Sequence, residues 1–282
     1  MKNFMCKYLL FVSLSCCFID QLNGMNSPAG DLGQKLLCAI LHGNQINQVC
    51  DLINHGANLE TTDFLGETPL LKAARFGNQE YIQTLLEARA NVNVQGDSNA
   101  PAFTGYTALM LVTDAGNNEI CEKLIDNGAD LTLRNVDGCT ALMLAAQCKN
   151  SNILPLFINA HNKLILCREM LYDAWGIAPI EICNMVLAFE GIEDLNILIN
   201  ATNKVGQTAL IHAINMARFD TSQRGNLKHI VSMLLKTGAH VTIEDVHGHN
   251  ARYYAEQLPS EYPEKNDLIE LLLAAEAQES AS

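Results

Sequence analysis

The sequence predicts an all-α solenoid, in which helix-turn-helix units with β-hairpin fingers stack in a row and are capped at both ends. Three observations predict this fold. A phrase that reads GETPLLKAARFGN in its first copy occurs in similar form at 66–78, 105–117, 138–150 and 206–218. The turn glycines of the second and third copies lie 33 residues apart, and self-similarity at this period indicates stacked repeats. Hydrophobic residues make up 49% of the chain and charged residues 17%, so most of it can fold around a continuous core.

The repeated phrase contains the start and end signals of a short first helix. Thr68 follows the turn glycine by two positions, where its hydroxyl can cap the helix, and Pro69 fits the first turn. Ala73 and Ala74 put small side chains on one face, which lets neighbouring helices approach closely. Gly77 then ends the helix. Each copy of the phrase therefore predicts one helix that stacks on its neighbours.

A second helix and an extended finger follow each first helix. In the first copy, the buried side of the second helix is formed by Tyr81, Ile82, Leu85 and Leu86. Gly-Ala pairs mark the end of the second helix at 56–57, 128–129 and 238–239. The segments NLETTDFLG, DLTLRNVDG and HVTIEDVHG then lead through alternating apolar residues to a turn glycine, which predicts a hairpin arm.

Glycine, threonine, leucine, the alanine pair and the Gly-Ala pair recur in phase, and together they resemble the ankyrin repeat. The resemblance covers most of residues 31–275 and implies a hairpin, helix, turn and helix in each unit. The histidine that is usual in this family's Thr-Pro-Leu-His phrase is replaced by Leu71, Met110, Met143 and Ile211. Without the side-chain hydrogen bond of that histidine, we expect these stretches to depend more on apolar packing.

About seven units follow one another between residues 32 and 275. We predict an N-terminal capping unit at 32–59, further units at 64–94, 103–133 and 136–160, a degenerate fifth unit at 176–203, a sixth unit at 204–243 and a C-terminal cap up to 275. The step of 68 residues between Gly138 and Gly206 is close to two periods, which favours the fifth unit. We also expect a short linker at 25–31, an irregular helical insert at about 161–175 and a disordered tail at 276–282.

Residues 1–24 have the layout of a secretory signal peptide. Two lysines precede an uncharged apolar run at 8–19, and the small residue Gly24 offers a cleavage site. The run is shorter than the roughly 20 residues that a spanning helix needs, and no later stretch is long enough. We therefore expect a secreted or exported protein with no membrane span after the signal peptide is removed. The alternative is a lipid-anchored or periplasmic protein, with Cys16 or Cys17 as the anchor.

Net charge narrows the classes of partner, and the number and spacing of cysteines indicate whether they form disulfides. The net charge of −13, with no offsetting basic run, argues against nucleic acid and anionic membrane surfaces as partners. Seven cysteines remain beyond the signal peptide, and an odd number without fixed spacing is not a disulfide framework. We expect most of them to be thiols, several of them at helical core positions.

The sequence predicts no catalytic, metal or cofactor site. His247 and His249 flank a turn glycine near His240, but no carboxylate or cysteine completes a good metal-binding spacing. Cys148 and His161 could pair as a nucleophile and its base, but no nucleophile signature surrounds them. The sequence also contains no phosphate-binding glycine loop. A metal-dependent enzyme is therefore a minor alternative, and no cofactor is expected.

The resemblance implies that partners bind residues around each turn glycine and the two residues after the alanine pair. Carried over to this chain, the candidate contacts are Phe64, Leu65, Glu67, Arg75, Phe76, Phe103, Tyr106, Asp114, Ala115, Val136, Cys139, Gln147 and Cys148. Phe76 and Tyr106 are the favoured hot spots, because exposed aromatics with an arginine nearby are typical of interfaces. Phe76 and Phe103 can alternatively pack against neighbouring loops. The extra residues within 95–103 lengthen one finger, either for binding or as a neutral expansion.

A solenoid of this kind exposes a long concave face of finger tips and first helices. The resemblance therefore implies a non-catalytic protein–protein interaction module, expected to be a monomer, that binds a protein partner through this face. A bacterial effector-like protein is one form that such an exported module can take. The alternative is a lipid-anchored or periplasmic scaffold of the producing cell.

Overall fold

The structure, a computed structural model, describes residues 31–43, 45–96, 103–147, 153, 155–157, 198–219, 227–262 and 264–280. Over these residues the chain contains eleven helices of defined bounds and no strand. The helices are α1 Leu32–Leu41, α2 Ile46–Asn54, α3 Pro69–Phe76, α4 Gln79–Glu87, α5 Ala108–Asp114, α6 Asn118–Asp126, α7 Ala141–Gln147, α8 Ala209–Ala217, α9 Leu227–Lys236, α10 Ala251–Glu256 and α11 Lys265–Glu279. The predicted signal peptide and the predicted insert lie outside the described residues.

The helices pack in two rows. The first helices α1, α3, α5, α7, α8 and α10 contact one another in that order. In the second row, α2, α4 and α6 contact one another in order, and α9 contacts α11. The first helices α1, α3, α5, α8 and α10 each pack against the second helix that follows in the chain. After α7, the structure describes only 153 and 155–157 before residue 198. This arrangement confirms the predicted all-α solenoid.

A polar residue two positions after each turn glycine begins the first helix of its unit. Its side-chain oxygen accepts a hydrogen bond from the backbone N–H three positions later. The residues with this role are Thr68, Thr107, Thr140, Thr208 and Asn250. Such a cap stabilises a helix by about 1 kcal/mol relative to alanine. Gly77 has a φ of 66° and ends α3, as predicted.

The core is continuous along the stack of helices. The four residues that replace the usual histidine are almost completely buried, and they are Leu71, Met110, Met143 and Ile211. Complete burial of a side chain of this size stabilises the fold by about 1.5–3 kcal/mol. The predicted dependence on apolar packing is therefore confirmed. Ala73 and Ala74 are also buried in α3, the helix that contacts both α1 and α5.

Each finger for which the structure describes all residues is closed by an aspartate or asparagine three positions before its turn glycine. These residues are Asp63, Asn135, Asn203 and Asp245. The Oδ1 atom of each accepts hydrogen bonds from two backbone N–H groups across the turn. Single backbone hydrogen bonds then join neighbouring fingers, for example from Val246 N–H to the Val205 carbonyl at 3.1 Å. The fingers project where the sequence predicts hairpins, but over the described residues they are loops without assigned strands.

The fourth and sixth predicted units are direct neighbours in the stack. Helix α7 packs on α8, and Lys204 N–H donates to the Asp137 carbonyl at 3.0 Å. The described helices therefore form six layers, and none of them stands between α7 and α8. The fifth unit predicted at 176–203 stays a prediction. The side-chain amide of Asn200 donates to the Gly238 carbonyl of the sixth unit. The side-chain amide of Asn93 donates to the Gly128 carbonyl at the equivalent place in an earlier unit. Residues 198–203 thus lead into the finger of the sixth unit, and most of the predicted fifth unit lies outside the described residues.

The C-terminal helix extends beyond the predicted end of the domain. We expected a disordered tail from 276, but α11 continues to Glu279. The Glu279 carboxylate accepts hydrogen bonds from Val241 N–H at 2.8 Å and from the Thr242 hydroxyl at 2.9 Å, which hold this end of α11. None of the helices described here is long and apolar enough to cross a membrane.

Candidate functional site

The finger tips present one or more exposed side chains in each unit. Phe64 is 46% exposed at the tip of the first complete finger. Val136, Val205 and Val246 are exposed at or beside the same position of later fingers. Backbone hydrogen bonds join the fingers of Val136, Val205 and Val246, so these three side chains form a row along the edge of the stack. The finger of Phe64 extends the row, because α3 of its unit packs beside α5. We call this row, together with the C-terminal ends of the first helices, the finger face.

Arg75 and Phe76 stand at the end of α3, on the finger face. The Arg75 guanidinium carbon lies 4.9 Å from the centroid of the Phe76 ring, and Phe76 is 39% exposed. The Arg75 guanidinium also donates to Glu67 Oε2 at 2.7 Å. A cation over an aromatic ring, with its charge balanced by a carboxylate, is a stable arrangement at a protein surface. Arg75 and Phe76 therefore form an ordered pair that is accessible through the Phe76 ring.

A buried ion-pair network contacts this pair through Glu67. The Lys72 side chain is only 2% exposed, and its ammonium lies 2.5 Å from Asp63 Oδ2 and 3.6 Å from Glu67 Oε2. Asp63 also closes the finger, so the network ties the finger to α3. Buried charges are tolerated only when they are paired in this way. The network therefore fixes the position of Arg75 relative to the finger.

Three of the predicted contact residues are buried. Glu67 is 3% exposed, and Leu65 and Cys139 are also buried. Glu67 and Cys139 follow their turn glycines, and Cys139 accepts a hydrogen bond from Asn203 of the neighbouring finger at 3.8 Å. The prediction that these side chains are available to a partner is therefore wrong. The residue after the turn glycine contacts other residues of the stack in these two units. From the family pattern, we expected it to be exposed to solvent.

Tyr106 has the same position in its unit and is largely buried. Its ring packs edge-to-face on Phe103, with 5.7 Å between the ring centroids, and its hydroxyl hydrogen-bonds with Asn135. Burial, with the nearby carboxylate of Asp114, raises the pKa of Tyr106 to about 12. The rings of Phe103 and Tyr106 therefore pack on one another, which is the alternative that the sequence left open for Phe103.

Of the remaining predicted contacts, three are exposed, and the side chains of the other two lie outside the described structure. Asp114, Ala115 and Val136 are exposed. Gln147 is the last residue of α7, but its side chain lies outside the description, as does all of Cys148. Phe64, Phe76, Asp114, Ala115 and Val136 are thus the predicted contacts that are exposed in the described structure, and Arg75 is half-buried beside Phe76. Their role in binding remains a prediction.

A second group of exposed side chains was not predicted. The Arg218 guanidinium carbon lies 5.7 Å from the Phe219 ring centroid and 5.8 Å from that of Tyr254. Tyr253 adjoins Tyr254 and stacks on His249 in nearly parallel planes, with 3.6 Å between the ring centroids. Phe219 is 74% exposed. A signal for this group exists in the sequence, because the dipeptide Arg-Phe stands at the end of a first helix both at 75–76 and at 218–219.

Hydrogen bonds hold Tyr254 beneath this group. Its hydroxyl donates to Asp245 Oδ2 at 2.5 Å and accepts from Gln207 at 3.4 Å. Burial alone would raise the pKa of the Asp245 carboxyl. Hydrogen bonds from Tyr254 and from the backbone N–H groups of His249 and His247 outweigh that effect and lower the pKa. Asp245 is therefore a charged anchor for the finger and for the Tyr254 ring.

The histidines that flank Gly248 contact aromatic rings in the described part of the chain. The rings of His247 and His249 lie 6.1 Å apart, and His249 stacks on Tyr253. Within the described ranges, no three histidine, cysteine or acidic side chains are placed to share a metal ion. The arrangement is one of aromatic packing.

The described thiols at the core are held in their protonated form. Burial raises the pKa of Cys121 to about 11, and burial also raises the pKa of Cys139. A thiol with a raised pKa is a poor nucleophile at neutral pH. Cys38 and Cys50 are half-buried and do not lie at fully buried positions of the stack. The sequence-level pair Cys148 and His161 lies outside the described residues.

Comparison with known proteins identifies the class of this fold. The family described as Ankyrin repeats (3 copies) matches the chain in three overlapping stretches, at residues 2–96, 35–135 and 96–166. These stretches together span more than half of the sequence, and the chain belongs to the ankyrin-repeat family. The crystal structure of an ankyrin repeat protein aligns with a TM-score of 0.59, covering 88% of this chain and 98% of that chain. Its identity of 22% supports the fold alone.

Curated relatives share individual stretches of the repeat array. The chain is 38% identical over 117 residues to Neurogenic locus notch homolog protein 1 of Xenopus tropicalis, covering 41% of this chain and 4% of that protein. It is 38% identical over 99 residues to Ankyrin repeat and SAM domain-containing protein 6 of Rattus norvegicus, covering 35% of this chain and 10% of that protein. The chain thus spans a tenth or less of the length of these relatives. Ankyrin repeats form protein–protein interaction modules and are typically not enzymes.

Proposed function

We propose that this chain is a non-catalytic scaffold that binds a protein partner through the finger face, on the concave side of the stack. The observation that carries this proposal is that the structural residues of the repeats recur, while the exposed residues are less uniform. The caps, turn glycines and core residues recur between units, whereas the exposed side chains are less uniform: Phe64 stands where later fingers have valine, and Arg75 and Phe76 stand where the next unit has Asp114 and Ala115. Recurrent residues build the stack, and the side chains that vary are free to match one partner.

The N-terminal half of the finger face has the composition of an interface hot spot. Phe64 and Phe76 are exposed aromatics, and Arg75 lies over the Phe76 ring. Aromatic and arginine side chains dominate binding energies at protein interfaces. Because Glu67 and Lys72 hold Arg75 in place, little side-chain freedom is lost when a partner docks. This region is the part of the finger face that we expect to contribute most to affinity.

The test is affinity capture with the chain as bait, with bound proteins identified by mass spectrometry. Replacing Phe64→Ala together with Phe76→Ala should abolish capture of the partner that the unaltered chain retains. Leu273→Ala is the matched control, because Leu273 is equally exposed but lies on the second-row helix α11. The helical spectrum and the melting temperature of the double variant should be unchanged. Capture that survives in the double variant would show that binding uses another surface.

We further propose that the protein is exported and acts outside the cell that makes it. Support comes from the basic start, the short apolar run at 8–19 and the small residue Gly24. N-terminal sequencing of the protein recovered from the medium should begin at Met25. A cell-associated protein with diacylglycerol on Cys16 or Cys17 would favour the anchored scaffold instead. An uncleaved chain confined to the cytosol would contradict both forms of export.

A further inference from the structure

The unpredicted group at the C-terminal end of the finger face is a continuous surface, on which Phe219, Tyr253 and His247 are exposed and Arg218 and His249 are half-buried. We define it by Arg218, Phe219, Tyr253, His247 and His249, and call it the Arg218 surface. Its side chains are linked by ring and cation contacts, directly or through the ring of Tyr254, over distances of 3.6–6.1 Å. The described portion of the protein thus has a second aromatic surface with an arginine, apart from the one at Arg75.

The two arginine–phenylalanine pairs differ in their counter-charge. Arg75 donates to the carboxylate of Glu67, which directly follows a turn glycine. The equivalent residue in the unit of Arg218 is Gln207, a neutral amide that bonds Tyr254 instead. Within the described residues, the Arg218 guanidinium makes one hydrogen bond, from Nη1 to Asn215 Oδ1 at a long 3.4 Å. Arg218 therefore has further N–H groups that can donate hydrogen bonds to a carboxylate of a partner.

Among the described residues, no acidic group near this surface pairs with Arg218. Asp245 is buried and accepts hydrogen bonds from Tyr254 and two backbone N–H groups. Glu256 and Glu276 both pair with Arg252. Glu244 is exposed at the finger tip, beside Gly248. Arg218 is thus a cation beside exposed rings that has no carboxylate partner in the described structure, and it is complementary to an acidic and apolar segment.

We propose that the Arg218 surface binds an acidic segment of a protein partner. A carboxylate of that segment takes the place on Arg218 that Glu67 has on Arg75, and a neighbouring apolar side chain packs on Phe219 and Tyr253. A planar guanidinium can hold a carboxylate through two parallel hydrogen bonds. The exposed rings supply apolar area beside it. This inference rests on the proposed function and names the chemistry of the partner for one end of the finger face.

The experiment selects ligands for the full chain from a random peptide library displayed on phage. Selected peptides should contain aspartate or glutamate next to an aromatic or large aliphatic residue. Synthetic versions in which every aspartate and glutamate is replaced by its amide should bind at least about tenfold more weakly by fluorescence polarisation, a difference of about 1.4 kcal/mol. Equal affinity of the acidic and amide versions would overturn the proposal.

Variants of the chain locate the binding site. Arg218→Gln and Phe219→Ala should each weaken binding of the acidic peptides about tenfold or more, and Arg218→Lys should restore only part of the affinity. Arg252→Gln is the matched control: it removes the same charge from a neighbouring unit, but Arg252 is already paired with Glu276. Melting curves check that each variant is folded. Unchanged affinity in Arg218→Gln would place the peptide elsewhere and overturn the proposal.

The outcomes separate this inference from the proposed function. Peptides that lose affinity in the Phe64→Ala and Phe76→Ala double variant, but not in Arg218→Gln, would support binding by the finger face and overturn the role of the Arg218 surface. Peptides that are affected by neither change would contradict both. If no peptide is enriched over a blank selection, that result also counts against both.

Discussion

At the scale of single residues, the position after three of the turn glycines contributes contacts between neighbouring units. Cys139 contacts Asn203, and Gln207 contacts Tyr254, in each case across the boundary between two units. Tyr106 similarly hydrogen-bonds with Asn135. These side chains are not accessible to a partner, because they form contacts between units of the stack. The exposed contacts lie one or two positions before the glycine and at the helix ends.

The turn glycines themselves are required both for conformation and for space. Gly138 has a φ of 76°, and a Cβ added to it would lie 2.8 Å from Lys204 N. We expect Gly138→Ala to lower the free energy of unfolding by about 2–4 kcal/mol, from the left-handed conformation and the clash together. Gly77→Ala is the control, since Gly77 has a φ of 66° with no atom within 4 Å of the added Cβ, and should cost only about 1 kcal/mol. Urea unfolding followed by circular dichroism measures both, and equal losses would contradict the packing of the two fingers.

The buried lysine network should contribute strongly to stability. Lys72→Met leaves the carboxylates of Asp63 and Glu67 without their buried cation, and we expect a loss of about 3 kcal/mol in the free energy of unfolding. The control is Lys228→Met, which breaks the ion pair with Asp267 between two exposed side chains. That change should leave the unfolding midpoint unaltered. Similar midpoints for both variants would show that the Lys72 network is not a stabilising element.

At the scale of elements, the C-terminal helix shows how a second-row helix can lengthen to close the stack. The apolar pattern of α11 suggests an end near 275, but polar contacts continue beyond it. Glu276 pairs with Arg252 at 3.1 Å, and Glu279 accepts from Val241 and Thr242. The last turn of α11 is therefore held by hydrogen bonds to the preceding unit and by an ion pair to α10 of its own unit, where apolar periodicity gives no signal.

Truncation tests this end of the helix. A chain that ends at Ala275 loses the contacts of Glu276 and Glu279, and we expect its free energy of unfolding to fall by about 1–3 kcal/mol. A chain that ends at Ser280 keeps both glutamates and should melt like the unaltered protein. If truncation at Ala275 has no effect on melting, then residues 276–279 behave as the tail that the sequence suggested.

At the scale of the whole molecule, the order of layers differs from the order of repeat-like segments in the sequence. Gly138 and Gly206 are two periods apart in the sequence but belong to adjacent fingers in the structure. The finger face therefore brings Val136 close to Val205, and the Arg218 surface lies only a few layers from Arg75. Two arginine–phenylalanine pairs on one face can engage a single elongated partner.

A cross-linking measurement tests this order. In the variant Asp137→Cys with Lys204→Cys, the two thiols sit on adjacent fingers, so a short bismaleimide should join them, and mass spectrometry should find the linked peptides. Adjacent layers lie roughly 10 Å apart, and an intervening layer would double that distance. Asp137→Cys with Val246→Cys, which spans two layers, is the control and should remain unlinked. Failure of the test variant to link would restore a layer between the two fingers.

Much of the repeat was predictable because its signals are local. Thr68 caps a helix three residues away, and Gly77 ends the same helix, so both functions can be recognised in a short stretch of sequence. The closing residues Asp63 and Asn135 could have been recognised as well, because aspartate or asparagine recurs three positions before the turn glycine. The candidate site was less predictable. Whether the residue after a glycine is exposed depends on the neighbouring unit, as Cys139 and Asn203 show.

By itself, the sequence determined the class of fold, the helix caps, the turn glycines and the apolar replacements for the usual histidine. These features follow from period, propensity and short-range hydrogen bonds. Only the tertiary structure decided that the fingers of Gly138 and Gly206 touch, that Glu67 and Cys139 are buried, and that Arg218 stands beside Tyr254. The physical reason is that such contacts join residues far apart in the chain, and their geometry is set by how whole units pack on one another.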